Sequence, residues 1–174
     1  MTTAYLGLGS NQGNRARHLQ RGVDEVHRHE GVFVTAVSPV YETEAHTVQP
    51  NETQPAYLNA VVAVETTRSP EALLRVAQAA ERAEGRTRPA PRWSPRPLDV
   101  DLLAVGAEQR ATPTLTLPHP RLADRRFVLR PWADLAPNFQ VPPPFDRPVR
   151  ALLAACPDPG PLAPSPAMLA VPPP

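Results

Sequence analysis

The order of apolar patterns from the N-terminus to about residue 106 is the feature that most limits the fold of this chain. Alternating or continuous apolar runs predict strands, and apolar residues at helical spacing predict helices. The predicted elements, in order, are a strand over residues 3–8, a helix over 15–29, a long strand over 31–43, a strand over 56–66, a helix over 70–84 and a strand over 98–106. The order β-α-β-β-α-β is typical of an α+β ferredoxin-like sandwich, with an antiparallel sheet and both helices on one face. We therefore expect the other face of the sheet to be left for loops and a ligand.

Local signals support these boundaries. Asn11 or Asn14 could cap the first helix, and Ser69 followed by Pro70 is a typical start for the second. Gly85 is placed to end that second helix. Pro39 lies inside the long predicted strand, which indicates a sheet edge or a bulge at that point.

The chain divides into a domain and a tail. Its 174 residues suffice for one domain with a buried core, and we place that domain at residues 1–140. Residues 141–174 are dense in proline and show little periodicity, so we expect a largely irregular C-terminal tail. Within it, "RPVRALLAAC" could form one or two helical turns.

Composition excludes several classes of function. The formal net charge is +1, which gives no overall field for nucleic acid or a membrane surface. No apolar run is long enough to span a bilayer, and no secretion signal is visible. The single Cys156 forms no internal disulfide, so a cytoplasmic protein is expected. All 18 basic residues are arginine, so no P-loop or Schiff-base lysine is available.

The segment "PRPLDVDLL" carries the strongest chemical signal. On a strand, Asp99 and Asp101 point to one face while Leu98, Val100 and Leu102 point into the core. Two neighbouring carboxylates repel each other unless a cation lies between them, and Mg²⁺ favours a few carboxylates plus substrate phosphates. Taken alone, the pair is equally compatible with a solvated strand face.

An arginine-rich loop immediately precedes the paired acids. Arg82, Arg86, Arg88, Arg92 and Arg96 fall within fifteen residues. Arginines beside acids that hold a metal are what a metal-bound polyphosphate requires, since guanidinium groups neutralise phosphoryl oxygens in bidentate fashion. A solvated basic loop is the alternative, and the spacing of loop and acids together argues against it.

Several single residues have both a structural and a functional interpretation. His119 and Glu81 could contact a nucleotide, or could be an ordinary surface histidine and a solvated helix residue. Tyr57 and Phe127 would by default pack in the core, but could also stack on a flat heterocycle. Asn59 shares a strand face with Tyr57, and its amide could hydrogen-bond to a ring edge.

The motifs in this order resemble one known family. "YLGLGSNQGNR", "PAYLNAVVAVET", "EGRTRPAPRWSPRPLDVDLL" and "LPHPRLADRRFVLRPWADLAP" are similar to the 6-hydroxymethyl-7,8-dihydropterin pyrophosphokinase family of folate biosynthesis. The resemblance covers residues 3–140. It implies the same fold, and Mg-dependent transfer of pyrophosphate from ATP to the pterin hydroxymethyl group with release of AMP.

The resemblance also implies roles for individual residues. Asp99 and Asp101 would be the ligands of two Mg²⁺ ions, and Arg86 and Arg96 would engage the phosphates. The implied residues on the ATP side are Gln78, Glu81, Arg88, Arg92, Trp93, Thr116, His119 and Arg125. The implied residues on the pterin side are Gly9, Thr43, Tyr57, Asn59 and Phe127. Gly9 would let the flat ring approach the first strand, so the glycine-rich "YLGLGSNQGN" would form part of the pterin pocket, although its position suggests a phosphate loop.

Some features depart from the family pattern or leave alternatives open. The segment 44–55 is more polar and longer than is usual there, which affects one pterin-side wall. Closure of the loop 85–97 is expected to exclude water, with Trp93 sealing the site. We expect a monomer with small-molecule substrates and no nucleic-acid or membrane partner.

Three alternatives stay open. The lack of closely placed aromatics on the strand faces and the balanced charge disfavour a nucleic-acid-binding module. The intact Asp99, Asp101, Arg86 and Arg96 disfavour a non-catalytic relative, and Tyr57, Asn59 and Phe127 indicate a flat acceptor rather than that of a different Mg-dependent phosphotransferase.

Overall fold

The computed structural model of the protein describes residues 1–45, 53–85 and 95–174. In this part of the chain the first helices and strands follow the predicted order. The helices are α1 (Arg15–Arg28), α2 (Pro70–Ala83), α3 (Arg126–Leu135) and α4 (Val149–Ala155), with a 3₁₀ turn at Leu122–Asp124. The strands are β1 (Thr2–Ser10), β2 (Val32–Val37), β3 (Tyr41–Thr43), β4 (Tyr57–Thr66), β5 (Asp99–Val105), β6 (Arg110–Ala111), β7 (Thr116–Leu117), β8 (Gln140–Val141), β9 (Arg147–Pro148) and β10 (Leu162–Pro164).

The main sheet has the strand order β10-β3-β4-β1-β5, and β2 also pairs with β4. All of its pairings are antiparallel. The long pair β1–β4 runs from Thr2 opposite Thr66 to Ser10 opposite Leu58. The C-terminal end of β1 therefore lies beside the N-terminal end of β4. The predicted α+β class with an antiparallel sheet is confirmed.

Helices α1 and α2 both pack on one face of the sheet, as predicted. The larger apolar cluster joins their inward residues to the alternate residues of β1, β4 and β5. Asn14 caps α1 and Ser69 caps α2, each side chain accepting a hydrogen bond from a backbone N–H three residues later. Helix α1 lies so close to the start of β5 that a Cβ on Gly22 would stand 2.9 Å from a terminal methyl of Leu98, so a larger residue there would displace the Leu98 side chain.

The long strand predicted over residues 31–43 is instead two strands. β2 and β3 are separated at residues 38–40, where Pro39 provides no N–H for strand pairing. Each strand pairs with a different part of β4, and the β2 register shifts between Val34 and Ala36. The chain therefore breaks between two strands at Pro39, the register shift lies elsewhere, and the predicted continuity of the strand was wrong.

The second face of the sheet is not left for loops, which corrects the sequence expectation. Helices α3 and α4 cover it, and a second apolar cluster forms around the fully buried Trp132. Tyr5 from β1 packs on Trp132 with ring centroids 5.2 Å apart. The stretch over residues 114–137 predicts a short strand and helical turns, but Pro131 concealed the full length of α3, because an internal proline usually ends a helix. The ligand space is therefore confined to one end of this face.

The proline-rich tail contains more regular structure than the sequence predicted. The stretch "RPVRALLAAC" forms α4, which buries Val149 and Leu152 against the second cluster. Farther on, β10 pairs with β3 and adds a strand to the main sheet. Prolines are tolerated there because β10 is an edge strand. The domain boundary at residue 140 stays a prediction.

Within residues 1–45, 53–85 and 95–174, helices long and apolar enough to cross a bilayer are absent.

Candidate active site

The paired acids lie on β5, where their side chains share the sheet face that α3 covers. Val100 and Leu102 point to the opposite face and join the core under α1 and α2, as predicted. Across the sheet, Asp99 stands opposite Gly9 and Asp101 opposite Gly7. Because both β1 partners lack a side chain, the floor beside the carboxylates is open.

Each aspartate of the pair has an arginine partner. Arg96 lies 3.3 Å from Asp99, and the Arg125 guanidinium donates to Asp101 at 2.9 Å. Burial, followed by the charge of Asp99, nevertheless raises the pKa of Asp101 to about 6. A carboxyl that resists ionisation beside another carboxylate marks a place where a cation would be stabilised.

Glu81 on α2 has a role in holding the strand that carries the two acids. Its side chain is buried, and its Oε1 accepts a hydrogen bond of 3.0 Å from the backbone N–H of Val100. This bond ties α2 to β5 between the two aspartates. Glu81 also lines the larger of the two cavities described below, on the predicted ATP side. Its hydrogen bond to Val100 is a structural contact that the sequence did not reveal.

A cavity of about 250 Å³ opens between the sheet and the N-terminus of α3. It brings together all the residues predicted for the pterin side. Its lining includes Gly9, Thr43, Tyr57, Asn59 and Phe127. The two aromatic side chains predicted to hold a flat ring therefore line the same cavity.

Hydrogen bonds organise the polar edge of this cavity. The Asn59 amide donates to the Thr43 hydroxyl at 2.9 Å, which orients the side chain across β3 and β4. A Cβ on Gly9 would lie 3.4 Å from Asn59 Oδ1 and 3.5 Å from the Tyr57 ring. The absent side chain at Gly9 therefore keeps the space in front of the amide free.

A second and more polar cavity, of about 450 Å³, lies on the other side of the paired acids. It collects the ATP-side residues predicted from the described part of the chain. Its lining includes Gln78, Glu81, Thr116, His119 and Arg125.

His119 is neutral near pH 7 in this environment. Burial, followed by the charges of Arg125 and Arg121, lowers its pKa to about 4. Its Nδ1 accepts a hydrogen bond from the Arg121 N–H at 3.1 Å, so in the neutral ring the proton lies on Nε2. His119 is therefore set up as a hydrogen-bond donor.

Four predicted residues lie outside the described part of the chain. They are Arg86, Arg88, Arg92 and Trp93. Residues 46–52 of the polar segment 44–55 are outside it as well.

Sequence reasoning also missed two residues. Arg121 and Glu44 line the smaller cavity. The spacing of Arg121 in "PHPRLADR", two residues after His119, was the signal that could have identified it.

The two cavities share a wall formed by four residues: Arg96, Asp99, Asp101 and Arg125. Among the described residues, no three His, Cys, Asp or Glu side chains group as a metal site. Two ligand cavities that meet at paired acids and arginines are the arrangement of a two-substrate group-transfer enzyme.

Comparison with known proteins identifies the family. The 7,8-dihydro-6-hydroxymethylpterin-pyrophosphokinase family matches residues 5–137, and the chain belongs to this family. A 2-amino-4-hydroxy-6-hydroxymethyldihydropteridine pyrophosphokinase from Bacillus subtilis is 42% identical over 137 residues, which cover 79% of this chain and 80% of that protein. The enzyme of the same name from Pseudomonas aeruginosa is 39% identical over 153 residues, covering 88% and 91% of the two chains.

Solved structures show the same fold at lower identity. A Plasmodium falciparum HPPK-DHPS chain superposes with a TM-score of 0.67 at 15% identity. The match covers 88% of this chain and 44% of that one, so this protein spans less than half of the two-part chain.

Proposed function

We propose that the protein transfers a pyrophosphoryl group from ATP to the hydroxymethyl group of 6-hydroxymethyl-7,8-dihydropterin, with release of AMP. Membership of the pyrophosphokinase family and the names of its relatives support this reaction and ATP as the co-substrate. One observation carries the proposal: the smaller cavity and the more polar cavity share a wall, which is formed by Asp99, Asp101, Arg96 and Arg125. In such a transfer the hydroxymethyl oxygen forms a bond to the β-phosphorus, the bond between that phosphorus and the α–β bridging oxygen breaks, and the hydroxyl proton is lost.

The smaller cavity suits the pterin. Tyr57 and Phe127 supply aromatic surface for a flat ring, and Asn59 supplies a side-chain amide for its donor and acceptor edge. Because Asn59 already donates to Thr43, its Oδ1 is the atom directed to a ring N–H. The open floor at Gly9 lets the ring lie against β1.

The polar cavity suits the nucleotide. His119 would donate its Nε2 proton to a phosphate or a base, since its Nδ1 is occupied by a backbone N–H. Gln78 and Thr116 add further polar groups to the lining. Arg88, Arg92 and Trp93 stay predicted ATP-side residues.

The paired aspartates fit the two Mg²⁺ ions implied by the family. Their carboxylates are hard oxygen ligands on one strand face, and the raised pKa of Asp101, caused by burial and by the charge of Asp99, supports a cation beside them. When bound, Mg²⁺ would supply positive charge that offsets the polyphosphate.

The residues of the chain would then position the reactants and neutralise charge. Arg96 and Arg125 are held beside the acids by ion pairs and can reorganise toward phosphoryl oxygens when substrates enter. Arg86 stays a predicted phosphate contact, with the loop 85–97 closing over the site. Holding the hydroxyl in line with the β-phosphorus accounts for much of the rate enhancement in such transfers.

Two further expectations stay predictions: that the enzyme acts as a monomer, and that it is cytoplasmic. The described residues contain one cysteine, Cys156, which is consistent with a reducing compartment.

The direct test is incubation with MgATP and 6-hydroxymethyl-7,8-dihydropterin, followed by separation of the nucleotides. AMP and the pterin pyrophosphate are expected in equal amounts, and ADP as the product would contradict the pyrophosphoryl assignment. Asp101→Asn is expected to lower turnover by at least about 100-fold, because a preorganised charged group is removed. Asp24→Asn removes an exposed carboxylate on α1 that lines neither cavity, and it serves as the matched control.

A further inference from the structure

The C-terminal segment that follows α4 contacts the acceptor side of the site at two points, and the family match does not include it. That match ends at residue 137. Asp158 lies beyond it, in the sequence "CPDPG". One Asp158 oxygen accepts a hydrogen bond of 3.2 Å from the backbone N–H of Arg126, and the other accepts one of 2.8 Å from the N–H of Gly160.

The first of these bonds supplies the missing cap of α3. The residue at the N-cap position, Arg125, provides no side-chain hydrogen bond to the helix, so Asp158 performs this function from 32 residues away. A carboxylate at a helix N-terminus satisfies an orphan N–H and interacts favourably with the helix dipole.

The capped turn carries side chains of the site. Arg126 lies between Arg125, which bonds to Asp101, and Phe127, which lines the smaller cavity. The Arg125 guanidinium also stands 5.8 Å from the centre of the Phe127 ring. Fixing the Arg126 backbone therefore fixes the direction in which Phe127 leaves the helix.

The same segment then reaches the opposite wall of the cavity. In β10, Leu162 pairs with Thr43 and Ala163 with Glu42. The Ser165 N–H donates to the Val40 carbonyl at 2.9 Å, which extends the contact beyond the strand. Strand β3 is only three residues long, and all three pair with β4 on one side and with β10 on the other.

Farther on, the segment is anchored to α1. Ala167 and Leu169 pack on the larger apolar cluster. The Ala170 backbone exchanges two hydrogen bonds with the Gln20 side chain, at 2.8 and 3.1 Å. Residues 158–170 therefore form a strap that runs from α3 across the edge of β3 to α1.

We propose that Asp158 is a positioning residue for the pterin half of the site. It holds the first turn of α3 so that Phe127 faces the cavity, while the following strand holds Thr43 on the opposite wall. This inference rests on the proposed function, because it assigns the smaller cavity to the pterin.

The test compares Asp158→Ala and Asp158→Asn with the parent chain at full length. Loss of a helix cap costs about 1 kcal/mol, which corresponds to about a fivefold change. We expect Asp158→Ala to raise KM for the pterin about fivefold at saturating MgATP, with KM for ATP within about twofold. In Asp158→Asn the side chain retains one acceptor oxygen, so the KM of this variant for the pterin should lie between those of the parent and of Asp158→Ala. Glu30→Ala, which removes a carboxylate whose side chain is 96% exposed and which makes no contact with residues 158–170, is the matched control.

A second measurement does not depend on turnover. Hydrogen exchange at the Arg126 amide should be faster in Asp158→Ala by a similar factor. An unchanged pterin KM, an equal rise in both KM values, or unchanged exchange at Arg126 would each overturn the proposal. A parent chain that makes no AMP would instead refute the proposed function, and the exchange measurement would still decide whether Asp158 holds α3.

Discussion

Replacing Asp101 by asparagine is expected to stabilise the metal-free protein at neutral pH while it removes activity. The pKa of Asp101 is raised from 3.8 to about 6, so ionisation of this carboxyl is less favourable in the folded state than in the unfolded chain. The protonated Asp101 carboxyl therefore carries no electrostatic penalty in the folded state below pH 3.8. As the pH rises through about 6 the carboxyl ionises, and this share of the free energy of unfolding is lost. The shift corresponds to about 3 kcal/mol at most. Since 34% of the side chain is exposed, solvent screening reduces the expected gain to about 1 to 2 kcal/mol.

The assay is urea unfolding of Asp101→Asn and the parent at pH 5 and pH 8, without divalent cations. The gain in the free energy of unfolding should be larger at pH 8, because about half of the ionisation penalty is already present at pH 5. Addition of Mg²⁺ should stabilise the parent more than the variant if the carboxylate holds the cation. Asp24→Asn controls for the loss of one surface charge. If the variant were less stable than the parent at pH 8, the claim that ionised Asp101 destabilises the metal-free fold would be refuted.

Two other perturbations test the neighbouring groups. Glu81→Ala should lower the free energy of unfolding by about 1 to 3 kcal/mol, because the buried Val100 N–H loses its acceptor. Chemical denaturation measures this loss, and a change below about 0.5 kcal/mol would contradict the structural role of Glu81. The pKa of His119 is lowered to about 4, so its neutral form contributes stability that is present above pH 6.5 and is lost as the pH falls toward 4. His119→Gln should reduce this acid sensitivity in pH-dependent unfolding, and an unchanged pH profile would argue against a neutral buried imidazole.

The sequence predicted the sheet and its two first helices because their apolar residues follow a clear period. The cap at Ser69 and the stop at Gly85 were readable from local chemistry alone. Periodicity and local turn chemistry did not predict the full length of α3 or the strand β10, because prolines obscure the pattern in both segments. Those elements are stabilised by burial of residues such as Trp132 and by pairing with β3, which are contacts between distant parts of the chain.

The site shows the same division. Strand periodicity alone placed Asp99 and Asp101 on one face, and the family resemblance named other residues that line the two cavities, but not Arg121 or Glu44. The hydrogen bond from Val100 to Glu81 was not predictable, because an acid on a helix near its end is usually solvated. Asp158 was equally hidden, since "CPDPG" has the composition of a loop and its partner is the backbone of another helix.

The pairing of β10 with β3 has a consequence for how the enzyme is made. Pro164 follows its partner Tyr41 by some 120 residues, so this part of the sheet edge cannot close until β10 has left the ribosome. Contacts between such distant segments form late and slowly during folding. A nascent chain could complete the core under α1 and α2 well before the Thr43 wall of the cavity is fixed. Competence to accept substrate would then be acquired only after β10 has emerged and paired with β3.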